Sequence, residues 1–293
     1  MKTPTLRFRR RLVQCGVAGA FILIPFLNRE GIHLLSGNFL SFDFAGLPLA
    51  DPLAAAQVFA GAFSLTQALL IGAIPALTAA LLLGPVFCAW VCPYGLLSEL
   101  VHRNFLHQGY AFSKLKRTDA RPLAVKTAVV CAGIGAILAG APVPLLNQLS
   151  MPGWYSRAAQ HLALYGEILP GAALMLLVVP ALEARSGRRF WCLYLCPQSV
   201  LLALAGMLSR KRLRVRFRRR SCTCRADDRA CLGACSLGLN PRTDGTEPDL
   251  LCSNCGDCID ICRTRGRALF FAGHVQRRQG SDESCGATPL QKE

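Results

Sequence analysis

The chain has 293 residues, 52% of them hydrophobic and 17% charged, where an ordinary soluble domain carries about 25% charged positions. Yet 33 Lys and Arg stand against 17 Asp and Glu, a net charge of +16, and 15 cysteines exceed what core packing uses. These figures exclude a plain cytosolic enzyme, a disordered tail and a small disulfide-stapled secreted domain, and a mean hydropathy of +0.35 points to a membrane protein. A nucleic-acid binder would also be basic. Here the basic residues alternate with apolar spans, and no zinc-finger, homeodomain or RNA-motif spacing accompanies them, so no nucleic acid is expected.

Met1 to Arg11 is basic and runs straight into an apolar stretch, as a signal peptide would. No small-x-small cleavage site precedes Pro25-Phe26-Leu27-Asn28, so the segment reads as an uncleaved anchor. A spanning helix needs about 20 mostly apolar residues. Four stretches qualify: about Leu12–Leu27, Leu65–Phe87, Leu123–Leu146 and Leu162–Leu182. The N-terminal segment holds five basic residues (Lys2, Arg7, Arg9, Arg10, Arg11), and the next connection holds only Arg29. Cys88 to Pro122 holds five (Arg103, Lys114, Lys116, Arg117, Arg121), the following connection only Arg157, and Glu183 onward twenty. Lys and Arg concentrate on the cytoplasmic side. The alternation therefore predicts a multi-pass membrane protein with both termini in the cytoplasm.

In the first outward connection, Phe42-Asp43 and Pro48-Leu49-Ala50-Asp51-Pro52 lead into Leu53–Phe63, which is too short to span and is expected as an interfacial helix. Lys126 falls within the third span near a cytoplasmic end, where snorkelling accounts for it. Glu167 falls about one turn inside the outer end of the fourth span, where it can snorkel or accept a quinol proton. Cys15 and Cys131, inside spans, read as small packing residues.

Phe87-Cys88-Ala89-Trp90-Val91-Cys92-Pro93 and Trp191-Cys192-Leu193-Tyr194-Leu195-Cys196-Pro197 share the pattern aromatic-Cys-x-x-x-Cys-Pro, each with an aromatic residue between its cysteines. Each comes at or just after the end of an even-numbered span, so the transmembrane part reads as a duplicated helix pair with one dithiol per copy. Cysteines at i and i+4 share a helix face, and the following proline removes a backbone donor. If the copies pack about a pseudo-twofold axis, Cys88, Cys92, Cys192 and Cys196 meet. They could then hold a metal or an iron–sulfur cluster, or act as a redox dithiol. Spacing alone leaves these open.

Beyond the last span, Arg210–Arg220 carries eight basic residues, suited to anionic lipid or to an acidic redox partner. Then comes Cys252-x-x-Cys255-x-x-Cys258-x-x-x-Cys262, the spacing that wraps a cubane with three thiolates and sends the fourth to a neighbouring cluster. Zinc also takes paired thiolates, but three so closely spaced suit a cubane better, and cytoplasm disfavours disulfides. An irregular set lies upstream: Cys222, Cys224, Cys231 and Cys235. Crossed pairing assigns Cys222, Cys224, Cys231 and Cys262 to one [4Fe–4S] cluster, and Cys252, Cys255, Cys258 and Cys235 to a second. Gaps of one and six replace the usual two in the upstream set, and Ser236 and Arg263 stand where proline usually follows. The type, potential and occupancy of the first cluster stay open on this evidence. No Cys-x-x-Cys-His occurs, so no c-type haem is expected, and no nucleotide or flavin fingerprint is visible.

The expected architecture is an α-helical membrane protein. Four transmembrane helices in two repeated pairs (1–209) precede a basic linker (210–220), a small cytoplasmic two-cluster ferredoxin-like α+β domain (221–275) and a polar disordered tail (276–293) in which Cys285 has no partner spacing. The spans, the two Cys-x-x-x-Cys-Pro motifs, the outer-loop Phe42-Asp43 with Pro48-Leu49-x-Asp51-Pro52-Leu53 and the C-terminal cysteines together resemble the NapH/MauN family of membrane-bound ferredoxin-type proteins, from the first span to about Phe271. The distorted first cluster motif tilts the resemblance toward the methylamine-utilisation branch. The resemblance implies a non-enzymatic electron-transfer subunit between the quinol pool or a membrane partner and redox proteins. It implies a separate ferredoxin or cytochrome as partner, in methylamine utilisation or periplasmic nitrate reduction. Two other functions compete: a maturation factor supplying reducing equivalents for assembly of a partner oxidoreductase, and a metal transporter using the four membrane thiols.

Overall fold

The computed structural model describes residues 5–31, 35–44, 46–64, 66–105, 121–140, 145–186, 189–209, 212–224, 230–242, 251–262 and 268–272. Expectations for Lys114, Lys116, Arg117, Arg210, Lys211 and the 276–293 tail with Cys285 fall outside them.

Thr5 caps the first helix by accepting the Phe8 N–H, and α1 runs Leu6–Arg29. It starts six residues before the expected Leu12 because its basic first turns find carboxylates: Arg7 meets Asp257, and Arg10 meets Glu99 and Asp257. A three-stranded antiparallel meander follows, β1 (Leu35–Asn38), β2 (Ser41–Phe44) and β3 (Leu47–Ala50). Asp51 then caps α2 (Pro52–Ala62), accepting the Ala54 N–H, with proline in the first helical turn where a missing donor costs nothing. This is the helix expected at Leu53–Phe63. One face is buried, with Leu53 packed on Val130, Leu146 and Val200. α3 (Gln67–Leu83) lies against β3 and ends at Gly84, short of the expected Phe87. A single turn α4 (Phe87–Trp90) carries the first cysteine motif and leads into α5 (Pro93–Phe105). Gly95 permits the tight join: a Cβ there would stand 2.6 Å from the Cys88 carbonyl oxygen.

The second half repeats the helical part of this order, with a single helical turn in place of the meander. α6 (Arg121–Leu138) is followed by α7 (Leu145–Gln148), which takes Leu146 out of the expected third span. α8 (Met151–Tyr165) again has proline in its first turn, and α9 (Pro170–Ser186) has 17 residues like α3 and, like α3, an internal proline. The expected fourth span, Leu162–Leu182, is therefore wrong at its start. Gly166 ends α8 in the left-handed region at φ +75°, its N–H bonding the Leu162 carbonyl, and Pro170 opens a new helix. Glu167 consequently lies exposed in a connection rather than inside a span. A π-helical turn, Trp191–Leu195, carries the second cysteine motif into α10 (Gln198–Leu208).

Among the described residues, α1 and α6 are long and apolar enough to cross a membrane by length and composition. The 17 residues of α3 and α9 meet the lower end of the range a bilayer requires. Large apolar side chains stand exposed along them, Leu70 by 49% and Leu177 by 71%. A soluble monomer rarely exposes such contiguous apolar surface. Cys15 and Cys131 are also exposed on α1 and α6 rather than packed inside.

The C-terminal unit is small: β4 (Arg214–Phe217) pairs antiparallel with β5 (Leu269–Ala272), and two short helices, α11 (Ala230–Gly233) and α12 (Asp257–Asp260), carry cysteines. The stretch read as a linker is thus partly a strand of this unit, because alternate side chains of Arg214-Val215-Arg216-Phe217 put Val215 into its core. The unit is fastened to the base by helix-end chemistry. The last carbonyls of α3 lack intrahelical donors; Leu213 N–H bonds Leu82 O at 2.9 Å and Asn254 Nδ2 bonds Leu83 O at 2.9 Å.

Candidate functional site

The two cysteine motifs meet. Cys88, Cys92, Cys192 and Cys196 line one chamber together with Lys126 and Arg189. Cys92 and Cys196 share an apolar cluster with Tyr94, Met151, Val179 and Trp191. Arg189 is 3% exposed and donates through Nη2 to Cys192 Sγ at 3.7 Å. Lys126 is 5% exposed and lies within electrostatic reach of Cys88, Cys192 and Cys196. It does not snorkel outward. Cations at a buried thiol cluster favour thiolate, the form that binds metal. Lys126 and Arg189 are the two cations lining the chamber, and Arg189 also faces the buried Glu183 and Glu99.

In the C-terminal unit, Cys235, Cys252, Cys255 and Cys258 line a single cavity, the same four expected to share a cluster. The irregular set gathers differently. Arg242 Nε donates to Cys231 Sγ at 3.2 Å, with Cys222 and Cys224 in electrostatic reach of the same guanidinium. Cys262 packs in the apolar cluster built on Cys231, Cys258, Val215 and Leu269. Among the described residues, no three His, Cys, Asp or Glu side chains converge as one metal ion requires. A cubane gives each thiolate its own iron, so thiols around a cavity rather than a point are the donor set it needs.

A shared apolar cluster connects the two regions. Leu193, from inside the second membrane motif, packs with Leu237, Leu239 and Leu251, with Cys192 on one side and Cys235 and Cys252 on the other. Trp90, from inside the first motif, donates to Asn254 O at 3.2 Å, next to Cys255. Arg10, 1% exposed, bonds Glu99 of α5 and, at 3.1 Å, Asp257 between Cys255 and Cys258. Burial pushes the Asp257 carboxyl up and Arg10 pulls it back. Burial, then the neighbouring Asp257, push the Cys255 thiol up, with Arg10 opposing.

Several of these residues escaped the sequence reading. A lysine in an apolar span signals function by default, and Arg189 stands one helical turn before Cys192, so both could have been found. Nothing local pairs Arg10 with Asp257. The sequence reading named Asp51 only as part of the outer-loop stretch Pro48-Leu49-x-Asp51-Pro52-Leu53. It is half-buried in the connection ahead of α2, where Gln198 Nε2 donates to Oδ2 at 2.9 Å, and burial pushes its carboxyl up to about 6.

A helical base bearing paired cysteine motifs, joined to a cysteine-lined α+β unit, defines a ferredoxin-type iron–sulfur protein. A family model described as a 4Fe-4S binding domain matches residues 65–117 and 168–216, one match around each Cys-x-x-x-Cys-Pro motif. The methylamine utilization ferredoxin-type protein MauN of Methylorubrum extorquens is 31% identical over 258 residues, covering 83% of this chain and 80% of its own. MauN of Paracoccus denitrificans is 31% identical, with 85% and 82% covered, and the ferredoxin-type protein NapH of Escherichia coli 28%, with 86% and 85% covered. No solved structure matches. The chain belongs to the family of ferredoxin-type proteins that includes MauN and NapH.

Proposed function

We propose that this protein is an inner-membrane electron-transfer subunit that carries electrons from the quinol pool to a soluble or periplasmic redox system. Both termini are cytoplasmic and α1, α3, α6 and α9 are its four spans. Cys252, Cys255, Cys258 and Cys235 hold one [4Fe–4S] cluster; Cys222, Cys224, Cys231 and Cys262 hold another. Cys88, Cys92, Cys192 and Cys196 hold a third thiolate-bound centre at the membrane entry point, balanced by Lys126 and Arg189. Such centres supply single-electron carriers. The protein's own part is to exclude water, neutralise charge and fix the distances between them.

The single observation that carries this reading is the Leu193–Leu237–Leu239–Leu251 cluster, which has the membrane thiol Cys192 on one side and Cys235 and Cys252 on the other. The matched relatives favour methylamine utilisation as the system served, with a separate ferredoxin or cytochrome as acceptor. The exposed Arg218, Arg219 and Arg220 of the 210–220 stretch meet anionic lipid.

The test is Cys255→Ser in membranes containing the inserted full-length protein, following quinol-dependent reduction of the centres by EPR. The reading predicts that electron flow stops while insertion is retained. Wild-type electron flow in this variant would overturn it.

A further inference from the structure

Next to the thiol chamber lies a second cavity of about 350 Å³, enclosed by α1, the meander, α3 and the first cysteine motif. That volume falls in the range of small-molecule sites, which pair apolar walls with a few polar groups. Here the walls are apolar except for two side chains, Asp51 and Gln198. Phe21 stands edge-on to Phe39 and Phe42 at ring separations of 4.7 and 5.4 Å, and Phe39 reaches Phe87 at 5.7 Å. Phe87 directly precedes Cys88, and both Phe87 and Gln198 also line the thiol chamber.

We propose that this cavity seats the ring of a lipid-soluble hydroquinone and that Asp51 is the base that receives its protons. The assignment rests on the relay proposed above and gives its donor a site. A planar aromatic ring fits between aromatic walls, and its hydroxyl needs one acceptor in otherwise apolar surroundings. Asp51 is that acceptor, held in place by Gln198 and by its own capping of α2. Oxidation releases two electrons and two protons. The first proton goes to the Asp51 carboxylate, which passes it on before taking the second. Cys88, Cys92, Cys192 and Cys196, beside Phe87, would hold the oxidised iron–sulfur centre that takes the two electrons singly as the oxidant, leaving the quinone as product. Glu167, the carboxylate first considered for this role, is exposed in the α8–α9 connection and lines neither cavity.

The test uses full-length protein in lipid nanodiscs, a photoactivatable short-chain quinone as label, and duroquinol as reductant, in wild type, Asp51→Asn and Ala76→Phe. Asparagine caps a helix as well as aspartate does, so the first variant keeps α2. Ala76 lines the cavity on α3, and phenylalanine there fills it. Wild type is expected to label on the 39–52 segment or α3, and Ala76→Phe to lose the label. Asp51→Asn keeps the label but loses about a hundredfold in the rate of duroquinol-driven reduction, the size of a general-base contribution. Dithionite reduces all three proteins alike. Undiminished labelling in Ala76→Phe, or labelling that maps elsewhere, overturns the seat. An unchanged duroquinol rate in Asp51→Asn overturns the proton role. Labelling of this cavity in a protein devoid of iron–sulfur centres overturns the relay and Asp51's part in it.

Discussion

The two cysteine sets of the C-terminal unit occupy different surroundings. Cys235, Cys252, Cys255 and Cys258 face the membrane base, with Asn254 on the end of α3, Asp257 on buried Arg10, and Leu251 against Leu193. Cys222, Cys224 and Cys231 gather around Arg242 instead, and their spacing is irregular. Contact with the base thus goes with regular spacing. A loop that must wrap a cluster and also dock on helix ends has few geometries open to it. For the relay proposed above, this difference implies the order membrane centre, docked cluster, outlying cluster.

The largest effects should come from breaking that order. Cys255→Ser should stop hydroquinone from reducing the outlying cluster, whereas Cys224→Ser should leave the docked cluster reducible and slow only the exit of electrons. Freeze-quench EPR on each variant distinguishes the two. Equal behaviour would remove the order. Next, Lys126→Met deprives the chamber of one of its two cations and should lower iron retention at Cys88, Cys92, Cys192 and Cys196 while sparing the C-terminal unit, as metal analysis would show. Arg10→Gln leaves Asp257 to Arg7 and Glu99 to Arg11, so the loss should fall below the about 3–5 kcal/mol of a buried charge left without any partner. Loss of a positive charge there should also lower the potential of the docked cluster by on the order of tens of millivolts. Thermal unfolding and a redox titration check the two parts separately. The smallest effect is on pH. A carboxyl shifted up to about 6 accepts a proton only when ionised, so duroquinol-driven reduction should rise as pH climbs through that value. In Asp51→Asn this step should be absent from the rate–pH profile.

Much of this arrangement was written locally in the chain. The duplicated Cys-x-x-x-Cys-Pro motifs signalled a repeat, and the structure extends it to five paired elements, α1/α6, α2/α8, α3/α9, α4 with the π-helical turn, and α5/α10. The grouping of Cys235 with Cys252, Cys255 and Cys258 was also expected from spacing, because ligand spacing follows from the length of chain needed to go around a cluster. What escaped was set by tertiary contact. Lys126 looks like a residue near a helix end until the chamber is seen, and Glu167 looks membrane-embedded until Gly166 and Pro170 break the helix. The basic start of α1 reads as a topology signal, yet Arg10 is an interior side chain because its carboxylate lies 247 residues away. Hydropathy counts charge along the chain and is blind to its partner.

Iron and acid-labile sulfide per chain, measured on anaerobically purified full-length protein beside Cys88→Ala/Cys192→Ala and Cys255→Ser, test the account most directly. Three cubanes predict about twelve irons in wild type, with about four lost in each variant and interacting reduced-cluster signals in the EPR spectrum. A wild-type content of about eight irons would contradict the membrane centre, and about four irons, or zinc without labile sulfide, would contradict the relay as a whole.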